Sequence, residues 1–161
     1  MNTTTNKPIC YFLIGPPGSG KSTWVRDLPN KFVVISTDAY IEKVALQSGK
    51  TYGDVFKDNI KDATKEMEIA LQKATVLGKS IIWDQTNMSV KSRAGKLITL
   101  KKYDVIAVAF EIPPDELARR LKKRKAETGK DIPPHIVASM VASYQPPTMD
   151  EGFFSIVKVT K

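Results

Sequence analysis

The sequence predicts an α/β fold in which a mostly parallel sheet is covered by helices. Five short apolar runs, at 10–14, 33–36, 80–83, 104–110 and 154–159, alternate with segments of helical spacing. This alternation is typical of parallel strands joined by helical crossovers. A length of 161 residues and a hydrophobic content of 42% suit one globular domain, 1–161.

The helices are predicted from apolar spacing and from the prolines and glycines at helix ends. Apolar residues recur at steps of three and four over 58–77, which indicates a long helix that Gly78 ends. A helix from 88 onward carries Val90, Ala94, Leu97 and Ile98 on one face. Other helical segments are 39–47, the segment after Pro113-Pro114, and Pro133-Pro134 to about Tyr144.

The first apolar run is followed by Gly15-Pro16-Pro17-Gly18-Ser19-Gly20-Lys21-Ser22-Thr23, a complete G-x-x-x-x-G-K-[ST] phosphate loop. Its glycines let consecutive backbone N–H groups turn towards an anion. Lys21 supplies positive charge for the β- and γ-phosphates, and the Ser22 hydroxyl is placed to bind Mg²⁺. The helix that follows has an apolar side with Trp24, Val25 and Leu28. We therefore predict that 15–23 binds a nucleoside triphosphate with Mg²⁺.

Carboxylates follow the second and third predicted strands, at the edge of the sheet that also holds the phosphate loop. Thr37-Asp38-Ala39-Tyr40 follows 33–36, and Asp84-Gln85-Thr86-Asn87 follows 80–83. Ligands of open α/β sheets bind at these carboxyl ends. Asp38 has the position of a general base that takes a proton from an acceptor hydroxyl, and it also suits a helix N-cap. Asp84 could hold Mg²⁺ through water or bond Ser22, or it could cap a turn.

Several polar residues near these carboxylates are candidates for binding the acceptor substrate. Thr86 and Asn87 could orient a sugar hydroxyl, or they could cap the helix from 88 onward. Arg93, in the first turn of that helix, could receive an acceptor phosphate or form a surface salt bridge. With Tyr40, these residues are the predicted substrate-binding set.

The basic helix after Pro114 turns two of its arginines inward. At about 100° per residue, Arg120 and Arg124 share a stripe with Leu117 and Leu121. A guanidinium in that position needs an anionic partner, either a triphosphate or a carboxylate. Because a glycine hinge follows, we expect 118–135 to be a lid whose two arginines contact the nucleotide, with Arg124 stabilising the transferring phosphoryl group.

Composition narrows the class of protein only slightly. The 25 basic and 17 acidic residues give a net charge of +8, which attracts polyanions without distinguishing nucleic acid from nucleotide. No apolar run approaches the ~20 residues of a membrane span. A single cysteine excludes an internal disulfide, and the polar start lacks an apolar signal core, so we expect a cytoplasmic location.

With these residues placed, nearly the whole chain resembles the bacteriophage polynucleotide 5′-hydroxyl kinases and their P-loop relatives. The segment 18–24 matches the family loop through its tryptophan, 37–40 resembles Arg-Asp-Asp-Tyr, and 84–88 resembles Asp-Thr-Asn-Leu. The segment 116–124 aligns with the family lid. The resemblance implies a five-stranded parallel sheet, ATP as phosphate donor, and Asp38 as the general base.

Two positions depart from the family pattern. The arginine that binds the 3′-phosphate of the acceptor falls on Ile41, and the arginine before the general base falls on Thr37. A second resemblance, at 84–89 and in the tail from 129 to 147, is to the P-loop domain of heterogeneous nuclear ribonucleoprotein U, which serves RNA binding and assembly. That domain has no aspartate at the position of Asp38, so the aspartate favours an enzyme here.

Three functional hypotheses follow. The favoured one is an ATP- and Mg²⁺-dependent kinase whose acceptor is the 5′-hydroxyl end of DNA or RNA. The second keeps the kinase chemistry but takes a nucleoside, a modified base or a small metabolite as acceptor, because of Ile41. The third is a non-catalytic RNA-binding module regulated by nucleotide.

Overall fold

A computed structural model describes residues 6–160, which form a five-stranded sheet flanked by helices. The strands are β1 (Ile9–Ile14), β2 (Val33–Ile35), β3 (Ile81–Trp83), β4 (Asp104–Phe110) and β5 (Ser155–Val159). Their order across the sheet is β2-β3-β1-β4-β5, and all neighbouring strands are parallel. Each strand falls on one of the five apolar runs, so the predicted α/β fold with a five-stranded parallel sheet is confirmed.

Helices occupy the connections between the strands. They are α1 (Lys21–Arg26), α2 (Asp38–Ser48), α3 (Tyr52–Val76), α4 (Val90–Thr99), α5 (Pro114–Thr128), α6 (Pro134–Ala142) and a 3₁₀ helix (Met149–Glu151). Within residues 6–160, no helix combines the length and the apolar character that crossing a bilayer requires. Residues 1–5 lie outside the described part of the chain. They belong to the polar start on which the expected cytoplasmic location depends.

Helix α3 begins at Tyr52, earlier than the apolar spacing predicted, because Thr51 caps it. The Thr51 hydroxyl accepts a hydrogen bond from the Asp54 N–H at 3.2 Å, and the Asp54 carboxylate accepts one from the Thr51 N–H at 3.0 Å. This reciprocal pair satisfies two backbone groups that would otherwise lack partners at the start of a helix. The added first turns bring Tyr52 to the carboxyl edge of the sheet, where its hydroxyl bonds to Asp38.

The predicted apolar face of α4 is only partly right. Ile98 is 65% exposed, whereas Arg93 is fully buried. The Arg93 guanidinium donates to the Glu151 carboxylate at 2.8 and 3.1 Å, and to the carbonyl oxygens of Asn87 and Gln145 at 2.9 Å each. Arg93 is therefore a structural cross-link between α4 and the segment before β5. This arrangement replaces the predicted contact with an acceptor phosphate, because these bonds hold the guanidinium inside the protein.

The loops that follow β1, β2 and β3 meet at one edge of the sheet. The Gly15 N–H donates to the Thr86 carbonyl at 2.9 Å, and the Asp84 N–H donates to the Ile35 carbonyl at 2.9 Å. These backbone bonds hold the phosphate loop, the start of α2 and the segment after β3 side by side. The parallel register thus places the predicted functional segments next to each other.

Candidate active site

A cavity of about 1150 Å³ lies at the carboxyl edge of the sheet, between the phosphate loop, α3 and the α5–α6 region. Most of the residues predicted to bind nucleotide, metal or substrate line it. They are Pro17, Gly18, Gly20, Lys21, Ser22, Thr23, Asp38, Asp84, Thr86, Arg120 and Arg124. The structure therefore brings together groups from four separate parts of the sequence.

The phosphate loop has the backbone that its glycines allow. Gly18 and Gly20 have φ values of +82° and +101°, a region that favours glycine. The Lys21 ammonium donates to the Gly15 carbonyl at 2.8 Å. Burial lowers the pKa of Lys21 to about 8, against the opposing effect of the Asp84 and Asp38 charges. When a nucleotide binds, the Lys21 ammonium can exchange its bond to the Gly15 carbonyl for a bond to a phosphate oxygen.

Gly15 and Ser19 belong to the loop but do not line the cavity. Ser19 is fully buried, and its hydroxyl has no hydrogen-bond partner among the described residues. A Cβ on Gly15 would stand 2.7 Å from that hydroxyl oxygen. Neither position presents a side chain to the cavity, so any contact of Gly15 or Ser19 with the nucleotide would come from the backbone, and their predicted role stays a prediction.

The residues predicted to bind Mg²⁺, Ser22 and Asp84, both face the cavity. Burial raises the pKa of the Asp84 carboxyl, against the opposing charge of Lys21. Within the described part of the chain, no group of three or more His, Cys, Asp or Glu side chains could hold a metal ion by itself. One hydroxyl and one carboxylate suit Mg²⁺, which commonly takes its remaining ligands from water and substrate phosphates. The donor set therefore fits a metal that arrives with a nucleotide.

Asp38, the first residue of α2, is held by two residues that the sequence analysis did not identify. The Tyr52 hydroxyl donates to its carboxylate at 2.5 Å, and the Lys130 ammonium lies 3.9 Å from it. Lys130 also pairs with Glu42 at 2.7 Å and lies 4.3 Å from the centre of the Tyr52 ring. Burial and the bond to Asp38 raise the pKa of the Tyr52 hydroxyl, so this group remains a proton donor. These contacts orient the Asp38 side chain, which is still 55% exposed.

The two lid arginines differ in their partners. Arg120 donates to the Glu116 carboxylate at 2.9 Å, and its guanidinium lies 3.5 Å from the place where a Cβ on Gly20 would be. Bonds from Arg119 and Arg120 lower the pKa of Glu116 to about 2. Arg124 lines the cavity, and no ion pair engages it among residues 6–160. Arg120 therefore has a carboxylate partner, the alternative to a triphosphate that its sequence position allowed. Arg124 is available to an anionic ligand.

Two predicted substrate-binding residues point elsewhere. Asn87 is 2% exposed and donates to the Leu13 carbonyl at 2.8 Å, while its side-chain oxygen accepts from Lys96 at 2.5 Å. Tyr40 packs against the apolar cluster around Ile41, between α2 and α3. The Asn87 amide is used inside the protein, so its predicted contact with the acceptor is wrong. Tyr40 is half-buried and does not line the cavity, so its predicted contact stays a prediction without support from the cavity geometry. Thr86 does line the cavity.

One signal could have identified Tyr52 from the sequence. Thr51 and Asp54 form the T-x-x-D pattern of a capping box, which predicts a helix start at Tyr52. Lys130 had no such signal, because its partner Glu42 lies 88 residues away in the sequence.

Most of the chain, residues 11–147, matches the AAA_33 family, which is described as an AAA domain. The chain belongs to this family and has the P-loop kinase-like fold. Heterogeneous nuclear ribonucleoprotein U-like protein 2 of Mus musculus is 24% identical over 143 residues, which cover 84% of this chain and 19% of that protein. This chain therefore spans about a fifth of the length of that relative.

Two solved structures are similar to the whole fold. In the Pnkp1/Rnl/Hen1 RNA repair complex, one chain is 27% identical with a TM-score of 0.70, covering 88% of this chain and 45% of that chain. A putative kinase from Chloroflexus aurantiacus J-10-fl is 19% identical with a TM-score of 0.72, covering 96% of this chain and 85% of that chain. The first similarity is to a component of an RNA repair assembly; the second concerns the fold alone.

Proposed function

We propose that this chain is an ATP- and Mg²⁺-dependent kinase that transfers the γ-phosphate to the 5′-hydroxyl end of DNA or RNA. Its main support is the carboxylate of Asp38, which lies in the cavity of the phosphate loop and near enough to Lys21 for their charges to interact. The similarity to a chain of an RNA repair complex supports nucleic acid as the acceptor.

Each group in the cavity has a role in this transfer. The loop amides and Lys21 hold the β- and γ-phosphates, and Ser22 with Asp84 would hold Mg²⁺, which neutralises phosphate charge when bound. Asp38 orients the acceptor hydroxyl and accepts its proton. The freed oxygen then bonds to the γ-phosphorus, the bond to the β-phosphate oxygen breaks, and ADP leaves. Arg124 stabilises the negative charge that develops on the transferred group.

The direct test is transfer of label from γ-labelled ATP to matched DNA and RNA oligonucleotides that carry a 5′-hydroxyl. The same oligonucleotides with a 5′-phosphate are the control acceptors, and the Lys21→Met variant is the control enzyme. We expect label at the 5′ end of the hydroxyl oligonucleotides alone. Intact ATP binding with no transfer to either nucleic acid would remove the proposal.

A smaller acceptor is the second candidate, and the position of Ile41 favours it. Ile41 is fully buried in the cluster between α2 and α3, so the first turn of α2 presents no cation to an acceptor phosphate. A nucleoside, a modified base or a small metabolite needs no such cation. Label that appears on small hydroxyl compounds and never on oligonucleotides would favour this candidate.

The third candidate, a non-catalytic RNA-binding module regulated by nucleotide, draws on the similarity to heterogeneous nuclear ribonucleoprotein U-like protein 2. In that case Asp38 has no catalytic role, and ATP would change RNA affinity without being consumed. RNA-binding titrations with and without nucleotide, run beside the transfer assay, distinguish a module of this kind from a kinase.

A further inference from the structure

One wall of the cavity is an aromatic and apolar face of α3 that phosphate transfer does not use. Tyr52, Gly53, Phe56 and Ile60 line the cavity from successive turns of this helix, and their spacing places them on one side of it. We call these four residues the acceptor wall. Because the Tyr52 hydroxyl bonds to Asp38, the wall adjoins the proposed general base.

Phe56 presents the open aromatic surface of the acceptor wall. It is 40% exposed, and its ring centre lies 5.7 Å from that of Tyr52. Lys130 already covers one face of the Tyr52 ring. At Gly53, no atom lies within 4 Å of the place where a Cβ would be. There is therefore space beside the Phe56 ring for a flat ligand.

Among the described residues, the cation in direct contact with the acceptor wall is Lys130, and it is already paired. The Lys130 side chain is 10% exposed, and its ammonium is paired with the Glu42 carboxylate. Asp38 and Asp131 add negative charge to the lining. Lys21, Arg120 and Arg124 line the part of the cavity next to the phosphate loop and α5, where the triphosphate is expected. The charge of Arg124 also reaches the Tyr52 hydroxyl, where it lowers the pKa against the larger raising effects, so the absence of a phosphate clamp assumes that the triphosphate engages Arg124. A neutral ligand is therefore favoured beside the wall, and an anionic one is disfavoured.

We propose that the acceptor wall binds the base of the terminal nucleoside by stacking it on Phe56, without a clamp for a phosphate on its 3′ side. This inference rests on the proposed function and specifies its acceptor as a neutral nucleoside, free or at the end of a strand. One helical turn, about 5.4 Å, separates Phe56 from Tyr52. A sugar bridging that distance would bring its 5′-hydroxyl to Asp38.

The first experiment varies the acceptor. We compare kcat/KM for a nucleoside, for the same nucleoside 3′-monophosphate, and for two oligonucleotides that differ only by an abasic 5′-terminal residue. Stacking on an aromatic side chain contributes about 10- to 100-fold per base, so the abasic end should be a poorer acceptor by that factor. Removing the 3′-phosphate should change kcat/KM by less than about 3-fold. A loss of about 100-fold or more on removing that phosphate would show a clamp, as expected of a charge-assisted contact, and would overturn the inference.

The second experiment varies Phe56. Phe56→Leu keeps apolar bulk without a ring, and Phe56→Tyr keeps the ring. Ile69→Ala is the matched control, because Ile69 lies on the same helix, is 57% exposed and does not line the cavity. We expect Phe56→Leu to raise the acceptor KM about 10-fold or more and to abolish the preference for a base, whereas the other two variants keep it. Equal behaviour of Phe56→Leu and Ile69→Ala would contradict stacking.

A binding measurement separates this inference from the proposed function. Adenosine is titrated into the ADP-loaded wild-type protein and into the Phe56→Leu variant, and the affinity is read from NMR shifts without any turnover. Weaker binding by the variant supports the acceptor wall even if no acceptor is ever phosphorylated. No binding of adenosine by the wild-type protein would refute the wall, and transfer to oligonucleotides could still support the kinase.

Discussion

Replacing Arg93 by Met should cost much of the stability of the fold. The Arg93 side chain is fully buried and that of Glu151 is 8% exposed. The substitution leaves the Glu151 carboxylate buried without its cation, and it also removes the donors to two backbone carbonyls. Removing one partner of a buried ion pair typically costs about 3–5 kcal/mol. The free energy of unfolding should therefore fall by about that amount.

Urea unfolding followed by circular dichroism measures this loss. With a slope of about 2 kcal/mol/M, a loss of about 4 kcal/mol lowers the urea midpoint by about 2 M. The double variant Arg93→Met/Glu151→Met should recover part of the loss, because it leaves no buried charge. Arg119→Met is the control, since the Arg119 side chain is 71% exposed, and it should change stability by less than about 0.5 kcal/mol.

Activity measurements complete the test of Arg93. If Arg93→Met unfolds like the wild-type protein and instead raises the KM of the acceptor, the guanidinium binds substrate. That result would refute the structural role and would restore the contact predicted from the sequence.

Two further predictions concern the lid residue Lys130 and the phosphate-loop residue Gly18. Lys130→Met removes a charged hydrogen bond and a cation–π contact, which together contribute about 2 kcal/mol. Hydrogen exchange of the segment 129–133 should therefore accelerate about 30-fold. Lys125→Met alters an exposed ion pair and is the control, which should leave this exchange rate unchanged. An unchanged exchange rate in Lys130→Met would show that Lys130 does not hold this segment. Gly18→Ala puts a Cβ 2.9 Å from Leu121 at φ +82°, so it should lower both stability, by about 1–2 kcal/mol, and ATP affinity. Gly95→Ala is the control, because a Cβ there meets no atom within 4 Å, and it should stabilise the fold by up to about 1 kcal/mol. Both variants are measured by calorimetric unfolding and ATP titration. Equal behaviour of the two would contradict the strain at Gly18.

The sheet and the phosphate loop could be predicted because their signals are local. A strand of a covered parallel sheet is a short apolar run, and the loop is one contiguous motif. The start of α3 was also within reach, since the capping box at Thr51 is written in four consecutive residues. Apolar spacing alone missed the first turn of α3, because Tyr52 and Gly53 are not residues that favour a helix.

The inward or outward direction of polar side chains could not be predicted in the same way. Arg93 turns inward because Glu151, 58 residues later, is buried beside it. Lys130 is held by Glu42, on a helix far away in the sequence. Such pairs depend on how distant segments pack, and no local spacing encodes that. Helical geometry succeeded for Arg124 because neighbouring leucines on α5 define its inner stripe.

The most direct test of the account is the Asp38→Asn variant, measured for ATP affinity and for the rate of phosphate transfer to a 5′-hydroxyl oligonucleotide. Asparagine keeps the size of the side chain and can still accept a hydrogen bond from Tyr52, but it cannot take up the acceptor proton. We expect the variant to bind ATP within about 3-fold of the wild-type affinity and to have a kcat lower by about 10²-fold or more, the scale of general-base catalysis. An unchanged kcat in this variant would contradict the role of Asp38 and the kinase mechanism built on it.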